Sequence, residues 1–121
     1  MVNYCFVVPI LPGKTDLVRK FEKENSIHSN EHDEFYKNAG ISREQSWVQT
    51  APAGSSQGIP DFEVISMELE NPARMFKEFA TSGLPWAIKF REYAKEAYGL
   101  DLESGFVPPI NEIVVDWYEE K

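Results

Sequence analysis

The run Asp61 to Glu70, DFEVISMELE, alternates in register and ends directly on Asn71-Pro72. Phe62, Val64, Ser66 and Glu68 point to one side of a strand; Glu63, Ile65, Met67 and Leu69 point to the other. Asn71 is a helix cap and Pro72 a first helical residue, where a missing N–H costs nothing. A central strand that hands the chain directly to a helix fixes the middle of the fold. The remaining segments have to be placed around it.

Before it, Tyr4 to Ile10 (YCFVVPI) reads as a strand with both faces apolar, stopped by Leu11-Pro12-Gly13. Thr15 is the expected N-cap of a helix whose apolar patch is Leu17, Val18 and Phe21. Its middle, Lys23 to Glu34, is polar. Phe35, Tyr36 and Ala39 then resume the apolar face and Gly40 ends it. The segment reads as one long helix or as two with a kink near Asn25, and a continuous or slightly broken helix is the preferred expectation. Ile41 to Thr50 forms the next strand, with Gln45, Trp47 and Gln49 on one face and Ser46, Val48 and Thr50 on the other. Ala51 to Pro60, rich in Gly, Pro and Ser, is a hairpin connection.

After it, Met75, Phe76, Phe79 and Ala80 form a buried helical stripe. Ser82 to Pro85 interrupts that helix, and Trp86 to Tyr98 continues it as far as Gly99. A loop over Leu100 to Pro109 leads to a last strand, Ile110 to Tyr118. Here Ile113, Val115 and Trp117 face one way and Val114, Asp116 and Tyr118 the other. The order is β-α-β-β-α-β, a single α+β domain over residues 1–121 of the ferredoxin-like type. It predicts a four-stranded antiparallel sheet with its helices on one face. The first and last strands are apolar on both faces, so the second face needs cover, most simply from another copy of the chain.

Charge narrows the partners. The 121 residues carry a formal net charge of -8, which disfavours nucleic acid and anionic membrane surfaces. No apolar run approaches the roughly 20 residues of a membrane span. The N-terminus has no signal-peptide pattern, so a cytoplasmic protein is expected. The single cysteine, Cys5, excludes an internal disulfide and reads as a buried thiol.

The strand order, the YCFVVPILPGK start, the paired ISREQSWVQT and DFEVISMELE strands and NPARMFKEF entering a helix together resemble the dimeric α/β-barrel superfamily, which includes the antibiotic-biosynthesis-monooxygenase-like proteins. The resemblance implies two four-stranded sheets packed into a barrel, with a cleft between sheet and helices in each subunit. It also implies one of two functions. The first is a cofactor-independent monooxygenase-like enzyme; the second is a non-catalytic ligand-binding or regulatory module. No cofactor is expected. The tryptophan, asparagine and histidine that haem-degrading members use cannot be aligned here, so those roles are not transferred to Trp47, Asn3 or His28.

Within such a cleft, His28 and His32 are the expected acid/base pair. They are four apart and share a face with Phe21, Phe35 and Ala39 if the helix is continuous. Tyr36, Trp47, Gln49, Glu68 and Trp86 are the expected ligand-binding residues, suited to a small apolar or aromatic molecule. No metal is expected, since no third ligand accompanies the histidines. Trp86 could serve a lid hinged at Ser82 to Pro85, although a core stripe turning a corner explains it more simply.

Overall fold

The computed structural model describes residues 1–27, 29–52, 58–104 and 109–120. Three strands, β1 (Val2–Pro9), β2 (Ile41–Gln49) and β3 (Phe62–Leu69), form one antiparallel sheet in the order β1-β3-β2. Four helices accompany it: α1 (Thr15–Asn25), α2 (Asn30–Asn38), α3 (Pro72–Thr81) and α4 (Pro85–Tyr98). A single 3-10 turn, Leu102–Ser104, follows α4. The class is α+β.

β3 is the central strand, as the sequence predicts. Its burial alternates strictly, with Glu63, Ile65, Met67 and Leu69 inside. Tyr4 and Val8 of β1 and Ile41 of β2 lie on the same inner face, and the helices bring Val18, Phe35, Met75 and Trp86 against it. The outer face carries a row across all three strands, Val7, Val64 and Trp47, paired in register. Val7 and Trp47 are exposed there. Cys5 shares that face and is exposed, so the expected buried thiol is corrected: β1 alternates, and Cys5 has the outward parity.

Asp61 lies just ahead of β3 and ties three segments together. Its backbone carbonyl accepts from the Ile10 N–H at 2.8 Å, and its carboxylate accepts from the Thr15 hydroxyl at 2.6 Å and the Ala51 N–H at 2.8 Å. These hydrogen bonds, the Thr15 one foremost, hold its pKa below the ordinary value. Thr15 is therefore the first residue of α1 and not its cap, which is Lys14.

Two further expectations are corrected. The helix predicted through Lys23 to Glu34 is two helices. α1 ends at Asn25, and α2 starts afresh with Ser29 as its cap, the Ser29 hydroxyl accepting from the His32 N–H. The run of Asn and Ser supplies side chains that compete for backbone hydrogen bonds and favour such a break. The second correction concerns Ile110 to Tyr118, which adds no fourth strand: residues 109–120 have no regular structure. Where a fourth strand would pair with β1, the Asn111 side-chain amide takes its place. Its oxygen accepts from the Cys5 N–H at 3.0 Å and its NH2 donates to the Cys5 carbonyl at 2.9 Å. Both main-chain groups of Cys5 that a ladder would use are thus satisfied by a side chain.

Gly40, between α2 and β2, has φ +76. A β-carbon there would come within 3.2 Å of the Glu70 carboxylate, the movable end of an exposed side chain, so it is the backbone angle that calls for glycine. The corner between α3 and α4 is pinned rather than hinged: the Arg91 guanidinium donates to the carbonyls of Phe79 at 3.0 Å and Ser82 at 2.8 Å. No helix among the described residues is long and apolar enough to cross a membrane.

Candidate functional site

The site is a cleft of about 740 Å³ between β2 and the α1–α2 pair. Its polar groups come from four elements. Val18 of α1 is buried, and Glu22 lies four residues further on, on the same face, so its carboxyl is carried inward. Glu44 and Ser46 sit on the inner face of β2, opposite Met67 and Ile65 in register. Glu63 is the first residue of the inner stripe of β3 and is 3% exposed. The same cleft is lined by His32 and Tyr36 from α2.

Behind the cleft lies a smaller cavity of about 60 Å³ with apolar walls that include Phe6, Ile65, Met75 and Phe76. Glu22, Tyr36, Glu44 and Glu63 line both spaces. They stand between the larger cleft and the smaller apolar-walled cavity.

Hydrogen bonds fix Tyr36, Glu44 and Glu63 there. The Tyr98 hydroxyl donates to Glu63, and the Tyr93 and Tyr98 hydroxyls are 2.8 Å apart. The Tyr36 hydroxyl donates to Glu44, as does the Ser46 hydroxyl at 2.8 Å. None of the ion pairs among the described residues involves Glu22, Glu44 or Glu63. Three carboxyls converge without a partner cation, and for Glu22 and Glu63 the charged form is disfavoured. Burial, with the neighbouring Glu63 charge second, pushes Glu22 up from 4.5 to about 8. Burial also pushes Glu63 up to about 7, against the Tyr98 hydrogen bond, which lowers it. The phenols of Tyr36 and Tyr98 are raised well above 10, first by burial and then by the adjacent carboxylates, so both remain hydrogen-bond donors at any ordinary pH.

The residues expected from sequence are distributed unevenly over this geometry. Tyr36 and His32 line the cleft. The His32 ring lies 3.8 Å from the Tyr36 ring, and its Nδ1 is 3.1 Å from Asp33. His28 is outside the described residues. The i, i+4 argument that pairs it with His32 needs one helix, and α2 begins only at Asn30. Trp47 reaches the mouth from the edge strand, but its ring belongs to the outer face and is half exposed. Gln49 and Glu68 share that outer parity and are corrected: neither lines the cleft, and Glu68 faces Arg43 at 3.9 Å. Trp86 follows the simpler of its two readings, the core stripe. It is 1% exposed, stacks on Phe35 and Phe90, and donates its indole N–H to the Asn25 carbonyl at 2.8 Å. It is the centre of the helical core, not a lid.

Glu22, Glu44 and Glu63 are the residues that sequence reasoning passed over. The signal was available for Glu63, the one acid in a stripe otherwise made of Ile65, Met67 and Leu69. No protein family, curated protein or solved structure matches the chain.

Proposed function

We propose that the protein is a small-molecule-binding homodimer whose cleft exchanges a proton with a small apolar or aromatic molecule held between sheet and helices. One observation carries this reading: Glu22 and Glu63 share an enclosed site, have no cation partner, and keep their protons to about pH 8 and 7. A carboxyl poised near neutrality is a competent acid or base. The apolar interior behind it gives a flat, poorly soluble molecule a place to sit.

The resemblance to the dimeric α/β barrels implies cofactor-independent oxygenation. In that chemistry the substrate supplies the electrons, and the protein orients it and removes a proton. Glu63, backed by Tyr98, suits the proton step better than His32, whose Nδ1 is turned to Asp33. The strand order supports the ferredoxin-like subunit, because it leaves the outer edge of β1 free, and residues 109–111 lie along that edge. The uncovered outer row Val7, Val64 and Trp47 supports association with a second copy of the chain through that face. A second reading, a non-catalytic binding or regulatory module, is favoured by the tyrosine hydroxyls already committed to Glu44 and Glu63.

Calorimetry on a set of small aromatic compounds, in buffers of different ionisation enthalpy, tests the proposal. The expected result is binding coupled to proton exchange near pH 7, with the coupling lost in Glu63→Gln. Binding without any proton exchange supports the module instead. Compounds that perturb only residues outside the cleft in NMR spectra would refute the site altogether.

A further inference from the structure

Residues 110–118 are an anomaly in an otherwise ordinary surface. Ile110, Ile113, Val114, Val115, Trp117 and Tyr118 are each between 75% and 94% exposed. Isolated apolar side chains on a surface are normal; six large ones within nine residues are not. As an extended segment it is apolar on both sides, with Ile113, Val115 and Trp117 on one and Val114 and Tyr118 on the other. Such a segment needs cover on both sides, and the described residues of its own subunit leave it exposed. Yet it is held at a defined point, because Asn111 is fixed to the β1 edge at Cys5.

We propose that this segment is an intermolecular arm, and that it lies on the outer sheet face of a second copy of the chain. That face offers what the arm lacks. The row Val7, Val64 and Trp47 is apolar and outward-facing, and the segment, at nine residues, matches the eight or nine of the strands it would cross or flank. The same face carries Arg43, whose side chain is 59% exposed with Glu68 3.9 Å from it, so the arm's Glu112, Asp116, Glu119 and Glu120 meet one cation that already has a partner. A second copy is the occupant that satisfies both surfaces at once. Each subunit has one arm and one bare face, and a two-fold arrangement uses all four. The edge of β1 next to Asn111 is also available, since Asn3 and Val7 share the outward backbone parity of Cys5.

This inference rests on the dimer reading, and its test separates the two. Sedimentation of the full chain over a dilution series gives the association state. Isotope-filtered NMR on mixed labelled and unlabelled full chains then identifies the contacts. The expected result is a dimer with contacts between the Trp117 ring of one copy and the Val7 and Val64 methyls of the other. Val115→Asp should weaken association by about tenfold or more, since it would place a charge in an apolar contact. Because Val115 is exposed in the subunit, its helical signal in circular dichroism should not change. A dimer that keeps its affinity in Val115→Asp and lacks those contacts would overturn the arm but leave the dimer standing. A monomer at every concentration would overturn both.

Discussion

Glu63 and Glu68 sit on the same strand and differ in every physical respect because they face opposite ways. Glu63 is on the helix-covered side, 3% exposed, bonded to a tyrosine and without a cation. Glu68 is on the outer side, with its side chain 45% exposed and an arginine 3.9 Å away. One residue of parity separates a group whose protonation is set by burial from a group that water screens. The candidate chemistry therefore belongs to the inner face, and the proposed association to the outer face. Two of the three tryptophans repeat the division: Trp86 fills the inner core and Trp47 stands half exposed on the outside.

The largest effect expected from that division is at the tryptophans. Trp86→Ala should cost about 3–5 kcal/mol in urea unfolding, through a cavity among Phe35, Phe79 and Phe90 and loss of the partner to the Asn25 carbonyl. Trp47→Ala, measured in dilute protein, should change stability by about 0.5 kcal/mol or less. Equal losses at the two positions would mean that the faces are not distinct.

Next in size is a dependence on pH. Glu22 and Glu63 are raised in the folded protein, so between 4.5 and about 7 to 8 the native state binds more protons than the unfolded chain. Stability then falls as pH rises through that window and levels off above it. Below pH 4.5 both states are protonated and the contribution is fully present. Glu63→Gln removes one of the two groups, keeps an acceptor for Tyr98, and relieves the repulsion on Glu22. At pH 8 it should stabilise the protein by about 2 kcal/mol, and at pH 5 by much less. Urea titrations at the two pH values measure the difference. A wild-type protein whose stability climbs from pH 5 to pH 8 would contradict the buried-acid site.

How far the chain itself foretold this can be judged residue by residue. β3, its inner stripe and the Asn71-Pro72 helix start are legible because period two, a capping side chain and a proline are local signals. The Asn71 carboxamide does accept from the Arg74 N–H at 3.1 Å. The break between α1 and α2 is half legible: Asn25 marks the place, but only the Ser29 cap decides that a new helix begins. The three acids of the cleft are not legible, for a different reason. Histidines attract attention by type, whereas Glu22, Glu44 and Glu63 become unusual only when three elements converge and exclude water. That convergence is a tertiary fact. Gln49 and Glu68 were placed on the right strands, but which face the helices cover cannot be read from a strand alone. The fourth strand failed because a side chain, Asn111, outcompeted the main chain for Cys5.

A smaller effect tests the hydrogen bond behind the site. Tyr98→Phe removes the donor that holds Glu63 down, so the Glu63 pKa should move further upward in a carbon-detected NMR titration. The stability cost should be about 1 kcal/mol near pH 8, where Glu63 is ionised, and less at pH 5. A downward shift would mean that Tyr98 is not the partner of this carboxyl.

The smallest effect lies on the outer face, and its size depends on whether that face is covered. Arg43 and Glu68 are 3.9 Å apart and both about half exposed, so in an isolated subunit Arg43→Ala should cost about 0.5 kcal/mol or less. Covering the face changes the terms. An arm carrying Asp116 and Glu119 laid over Arg43 would turn a screened surface cation into a charge in contact with a partner, and its loss would then be felt in association. The same substitution should be nearly silent in dilute protein and grow with concentration, tracking the dimer population in sedimentation. If unfolding of Arg43→Ala shows the same small deficit at every concentration, the outer face is wet, and the contrast between the two sides of β3 is one of burial alone.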